Sequence, residues 1–157
     1  MNARVASWAR LLILGAGVVS SWSALIVQFR AFYATFGTFL HVSEGTVTNP
    51  FLTPCLYGSL AFLGAFFWAS ALHLRSSARS EVWLSRLLLF GMIFAAVVMG
   101  YECADYFHIF SFGVPLVCAP NANPLTTPCF RGLIFFILAY LASFWMRSRR
   151  VVDVSTI

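Results

Sequence analysis

The sequence predicts an all-α polytopic membrane protein: a four-transmembrane-helix bundle built from two tandem helical hairpins, a parallel repeat with an offset of 74 residues. Three observations predict it. Hydrophobic residues make up 61% of the 157 positions and charged residues 10%, where a soluble domain carries roughly 25% charged residues. Four continuous apolar stretches approach the roughly 20 residues that cross the hydrocarbon as helix. Finally, the decapeptide Asn49-Pro50-Phe51-Leu52-Thr53-Pro54-Cys55-Leu56-Tyr57-Gly58 returns as Asn123-Pro124-Leu125-Thr126-Thr127-Pro128-Cys129-Phe130-Arg131-Gly132, with six of ten residues identical and no gap.

The spans fall at about 11–29, 55–74, 87–106 and 130–146. Strands do not fit, because the runs are continuous rather than alternating. Arg4 and Arg10 precede the first span; Arg75, Arg79 and Arg86 lie between the second and third; Arg147, Arg149 and Arg150 follow the fourth. Eight of ten basic residues thus flank one side, which the positive-inside rule makes cytoplasmic, with both termini inside. A bacterial plasma (inner) membrane is the expected location, and the lipid bilayer the first partner. The net charge of +5 is this orientation signal; without a basic groove interleaved with aromatics, no nucleic-acid partner is expected. Ser21-Trp22-Ser23-Ala24 resembles a signal-peptide cleavage region, but apolar character continues through Ala24-Leu25-Ile26-Val27, so the first span is expected to stay uncleaved.

One membrane domain spans 1–157, with repeat 1 at about 8–74 and repeat 2 at about 82–148. Extending the offset pairs Gly17 with Gly91, Gln28 with Glu102, Phe32 with Tyr106, Phe62 with Phe136 and Ala65 with Ala139. Two spans per unit return the chain to the same side, so a pseudo-twofold axis runs along the membrane normal. Within each copy, threonine is an expected N-cap and proline the first helical residue. Cysteine then falls at the second helical position, where unpaired N–H groups and the helix dipole favour a thiolate. Asn-Pro four residues upstream is turn chemistry. The glycine three residues beyond each cysteine, Gly58 or Gly132, is expected to admit a neighbouring helix.

All four cysteines, Cys55, Cys103, Cys118 and Cys129, fall at or beyond the outer surface of this topology. An even number facing an oxidising compartment indicates disulfides, with three pairings open. One joins Cys55 to Cys129 and leaves Cys103 for Cys118. Inert thiols or one stabilising disulfide account for the same cysteines about as well.

The arrangement is similar to membrane thiol oxidoreductases of the disulfide bond formation protein B and vitamin K epoxide reductase families: four spans, cytoplasmic ends, outward-facing cysteine pairs and a chain of comparable size. Those families carry a Cys-x-x-Cys pair, whereas the corresponding position here is Gly58 or Gly132. The resemblance implies electron transfer to a lipid-soluble acceptor such as quinone.

Glu102 and Asp105 share a face of the third helix, and His108 continues it at the same interval. Arg30 and Arg131, the basic residues on that side, are the expected counter-charges, and Arg30, Glu102 and Arg131 the candidate cofactor-binding residues. A metal held by Glu102, Asp105, His108 and His41 is a weaker reading, because no ligand signature such as His-Glu-x-x-His is present; no metal site is assigned. His73 is expected to be solvated at the cytoplasmic interface. Aromatic residues are expected at lipid and interface positions.

Three functions fit. The first is a thiol-disulfide redox protein using Cys55 and Cys129, with Cys103 and Cys118 as the exchanging pair and an extracytoplasmic thiol protein as partner. The second is a small transporter or binding protein for a soft metal ion or anion, which with four spans needs a homodimer. The third is a noncatalytic subunit of a larger membrane complex.

Overall fold

The computed structural model describes residues 3–40, 49–74, 77–109 and 123–155. It contains four long helices: α1 (Ala3–Phe36), α2 (Pro54–Leu74), α3 (Ala78–Tyr106) and α4 (Pro128–Ser155), with 3₁₀ turns at Pro50–Leu52 and Pro124–Thr126. All four helices are long and apolar enough to cross a membrane, which makes the chain a multi-pass integral membrane protein in class. Large apolar side chains such as Leu12, Val19, Phe67, Phe90, Val97 and Phe144 stay exposed on the bundle exterior, as expected where lipid rather than water surrounds the protein.

Three helices are longer than the apolar stretches, α4 running on to Ser155 past position 146. α1 starts before position 11, and α3 begins at Ala78 rather than near 87. Hydropathy marks the depth that lipid covers, whereas helix formation continues through arginine and glutamate, which are good helix formers.

The decapeptide folds identically in both copies. Asn49 Oδ1 accepts from Phe51 N–H at 3.0 Å, and Asn123 Oδ1 accepts from Leu125 N–H at 3.0 Å. Each asparagine caps a 3₁₀ turn whose first residue is proline. The Thr53 hydroxyl donates back to Pro50 O at 2.8 Å, and the Thr127 hydroxyl oxygen stands at the same 2.8 Å from Pro124 O. Threonine therefore closes the turn behind it, while asparagine carries the side-chain cap. Both α2 and α4 start on proline, leaving cysteine at the second helical position as expected.

α1 and α3 each pack against both α2 and α4, while their backbones stay apart and only long side chains such as Arg10 and Glu81 bridge them. The opposite diagonal, α2 with α4, meets along the pseudo-twofold axis, where the Phe62 and Phe136 rings stack at 3.9 Å between centroids and 23°. Burial repeats at the 74-residue offset even where identity does not: Leu14 with Leu88, Leu25 with Met99, Thr53 with Thr127, Ala65 with Ala139, and Leu72 with Met146 are all buried.

The same symmetry explains two glycines. A Cβ on Gly17 would stand 2.7 Å from the Phe62 ring, and one on Gly91 would stand 2.5 Å from the Phe136 ring. Each phenylalanine lies over the glycine of its own repeat, and neither ring can swing away, because each is stacked on the other. Gly91→Ala is therefore expected to destabilise by about 1–3 kcal/mol through overpacking, read as a lower midpoint of denaturant unfolding in detergent; Gly100→Ala, at a site with no neighbour within 4 Å, is the control. Close approach was expected at Gly58 and Gly132. A Cβ on Gly58 would meet nothing within 4 Å, and one on Gly132 would make only an ordinary 3.7 Å contact. Three residues beyond cysteine is a spacing in sequence; the packing surface is set by where the rings lie.

At the end of the bundle opposite the decapeptides, Arg10 is buried and bonds Glu81 through both guanidinium nitrogens, at 2.6 Å and 3.3 Å. His73 is half-buried there, with Nδ1 3.0 Å from Ser7 Oγ and its ring edge-on to Trp8 at 4.8 Å. It is packed between helices rather than solvated, because α1 extends far enough to cover it. Arg75 lies outside the described residues.

Candidate functional site

The two helix starts bring Cys55 and Cys129 together: their sulfurs stand 3.6 Å apart. Each occupies the first turn of its helix, so the N-terminal dipoles of α2 and α4 converge on one pair of sulfur atoms. The contact is van der Waals in length, well beyond the roughly 2.05 Å of a disulfide bond. Cys103, near the carboxyl end of α3, is a half-buried free thiol. Among the described residues, then, no disulfide joins two cysteines: of the three pairings left open, the bridge from Cys55 to Cys129 is not formed, and Cys103 is free. Two sulfurs brought together by symmetry approach closely, but closing the bond needs a further movement of about 1.5 Å. Cys118 and His41 lie outside the described residues.

Beside the sulfurs sits Glu102, 3% exposed. Its Oε2 accepts from the Thr127 hydroxyl at 2.9 Å. α3 thus delivers an acidic side chain to the start of α4. At the related position on α1 stands Gln28.

The expected continuation of the Glu102 and Asp105 face to His108 does not occur. α3 ends at Tyr106, His108 adopts φ of 54°, and its side chain is exposed. Ile109 N–H bonds Ala104 O at 2.9 Å and His108 N–H bonds Asp105 O at 3.0 Å, the paired bonds of a Schellman ending that requires a left-handed residue. Histidine fills a position usually given to glycine, so the helical interval stops one turn short. No group of three metal-ligating side chains is found among the described residues.

Arg30 and Arg131 do not take the expected counter-charge role. Arg30 is exposed on α1, and Arg131 is exposed with Nη2 donating to Thr126 O at 3.3 Å. The one salt bridge among the described residues is Arg10 with Glu81, at the other end.

A cavity of about 50 Å³ adjoins the sulfurs, with Gly58, Gly132 and the Phe62 and Phe136 rings among its walls. Through the shared residues Pro54, Phe94 and Val98 it borders a cleft of about 340 Å³ between α2 and α3, walled by Leu52, Tyr57, Val97 and Tyr101. Leu52, Tyr57 and Val97 are exposed on the bundle surface, so the cleft faces the lipid side.

Sequence reading missed the bond from Thr127 to Glu102 and the insertion of the phenylalanines over Gly17 and Gly91. The pairing of Glu102 with Gln28, and of each glycine with its repeat partner, is visible in the sequence and was the available signal. Together the fold and site define a four-helix membrane protein carrying a duplicated cysteine pair at one end of the bundle. No family model, curated protein or solved structure matches this chain.

Proposed function

We propose that this protein is a membrane thiol-disulfide oxidoreductase acting through Cys55 and Cys129. The observation that carries the reading is the 3.6 Å contact between two sulfurs on symmetry-related helix starts. Contact of this length is near the separation from which one sulfur attacks another.

In the reaction, a dithiol loses two electrons and two protons and becomes a disulfide; a quinone takes up both and becomes a quinol. The α2–α3 cleft supports a flat lipid-soluble acceptor, because it is aromatic, faces the lipid, falls in the size range of small-molecule sites, and borders the cavity beside the sulfurs. Cys103 and Cys118 are proposed to exchange with an extracytoplasmic thiol protein. The sulfur end is then outward in a bacterial plasma membrane and the arginine end cytoplasmic, following the basic residues.

Alkylating the intact protein before and after dithiothreitol treatment, and counting modified cysteines by mass, tests the reading. Reduction is expected to add alkylatable cysteines, and a short-chain quinone to remove them again. Cys55→Ser and Cys129→Ser should each abolish this cycling while the protein still elutes as a folded species. A cysteine count that reduction does not change would retire the redox role.

A further inference from the structure

We propose that the bundle interior binds a water molecule between Arg10 of α1 and Ser143 of α4, in a polar layer below the stacked phenylalanines. The layer follows from helix geometry. Gly17, Phe62, Gly91 and Phe136 meet at one depth, since each ring lies over a glycine and the two rings stack on each other. Seven residues from these, toward the end opposite the decapeptides, α1 carries Arg10, α2 Ala69, α3 Leu84 and α4 Ser143. Seven residues are two turns, about 10 Å of helix, so the four positions share a depth and keep nearly the same inward face. All four are buried: Arg10 and Ser143 are 1% exposed, Ala69 and Leu84 0%.

The Arg10 side chain crosses this layer. α1 and α3 lie on opposite sides of the α2–α4 diagonal, yet the guanidinium reaches Glu81 of α3 at 2.6 Å and 3.3 Å. It therefore passes between α2 and α4, which at this depth contribute only the small side chains of Ala69 and Ser143. Room for the arginine is also room for a small molecule beside it.

Two buried polar atoms of the layer have no partner among the described residues: Arg10 Nε and Ser143 Oγ. Other helical hydroxyls in this chain donate to the carbonyl four residues back, as Ser59 does to Cys55 O and Ser70 to Phe66 O, at 2.8 Å each. Ser143 does not, although it is the more deeply enclosed. A hydroxyl and a guanidinium N–H left unmatched in an apolar interior are costly. Nor does the duplication account for them, because the related positions are the apolar Leu84 and Ala69.

Charge decides the ligand. The two terminal nitrogens of Arg10 are occupied by the Glu81 carboxylate, so the pair is neutral, and a further ion would be buried without a counter-charge. A small neutral molecule that accepts from Arg10 Nε–H and hydrogen-bonds the Ser143 hydroxyl is water, for which two polar partners suffice. Held there, it ties α4 to the link between α1 and α3, so that Arg10 joins three helices rather than two.

The sign of one substitution tests the proposal. A buried hydroxyl with no partner is better removed, so Ser143→Ala raises the midpoint of denaturant unfolding if nothing bridges the serine; with a bridging water it lowers it. The expected result is a lower midpoint for Ser143→Ala in detergent, and no such loss when the same change is made in the Arg10→Met, Glu81→Leu protein, where the water lacks its other partner. An unchanged or raised midpoint in the first case, or an equal loss in both proteins, overturns the proposal. If the doubly altered protein does not fold, magnetisation transfer from water to the assigned Arg10 Nε–H of the unaltered protein decides. Transfer of opposite sign in the laboratory and rotating frames is expected, as dipolar contact with a held water gives and chemical exchange does not. Absence of dipolar transfer at that N–H overturns the site.

Discussion

Replacing Arg10 with alanine is expected to destabilise the folded bundle by about 3–5 kcal/mol, because it strands a buried carboxylate. Arg10 is 1% exposed, and its two terminal nitrogens reach both oxygens of Glu81 at 2.6 Å and 3.3 Å. The pair joins the start of α1 to the start of α3, and so ties one repeat to the other at the end away from the sulfurs. Glu81→Ala should cost a similar amount, since it leaves a guanidinium buried without its partner. The double variant Arg10→Met with Glu81→Leu should recover most of the loss, because replacing both members by apolar side chains of similar size removes the desolvation cost together with the attraction. It also removes the buried Arg10 Nε, which has no hydrogen-bond partner. Denaturant unfolding of the four proteins in one detergent checks this as a double-mutant cycle. A single variant as stable as the starting protein would show that the pair contributes nothing to the fold.

Phe136→Ala is the second large effect, with an expected loss of about 3–5 kcal/mol from the lost side chain and the cavity it leaves. Phe136 is 2% exposed, stacks on Phe62 at 3.9 Å, and lies over Gly91. Phe62→Ala should cost about the same, since Phe62 holds the equivalent place over Gly17. The two losses should not add, because the rings support one another and either truncation removes the same stacking contact. The cavity beside the sulfurs is walled by both rings, so either variant should also slow thiol exchange by loosening the contact between Cys55 and Cys129. Unfolding midpoints and dithiothreitol exchange rates on the two single variants and the double variant measure both consequences. Fully additive losses would mean that the stacked pair is not a unit.

Much of the fold was legible because the relevant signals are local or periodic. Continuous apolar runs marked the four spans, and the decapeptide marked both the repeat and the helix starts, down to cysteine at the second helical position. Symmetry put the two sulfurs at one height about one axis; that they converge follows from α2 and α4 lying on the inner diagonal, which spacing does not decide. Other details were not legible. His108 was placed on a helix face by its interval, yet the helix had already ended in a left-handed turn. Arg30 and Arg131 were matched to Glu102 and Asp105 by side of the membrane, a coordinate too coarse to identify partners. Arg10 was read only as part of the orientation signal, although Glu81 is the only acidic residue between the second and third spans and could have been considered as its mate.

The sequence by itself determined the number of spans, the duplication, the chemistry of the helix starts and the pairing of Gln28 with Glu102. All of these are properties of runs, spacings and residue types, which do not depend on how the helices are arranged. Only the tertiary structure decided that Cys55 touches Cys129, that Glu102 reaches the start of α4, that phenylalanines rather than helix backbones occupy the glycine surfaces, and that Arg10 pairs with Glu81. Those contacts join residues far apart in the chain, and in an apolar bundle every helix presents apolar surface in all directions. Which face turns inward is then set by side-chain packing and by the few polar groups that must find partners.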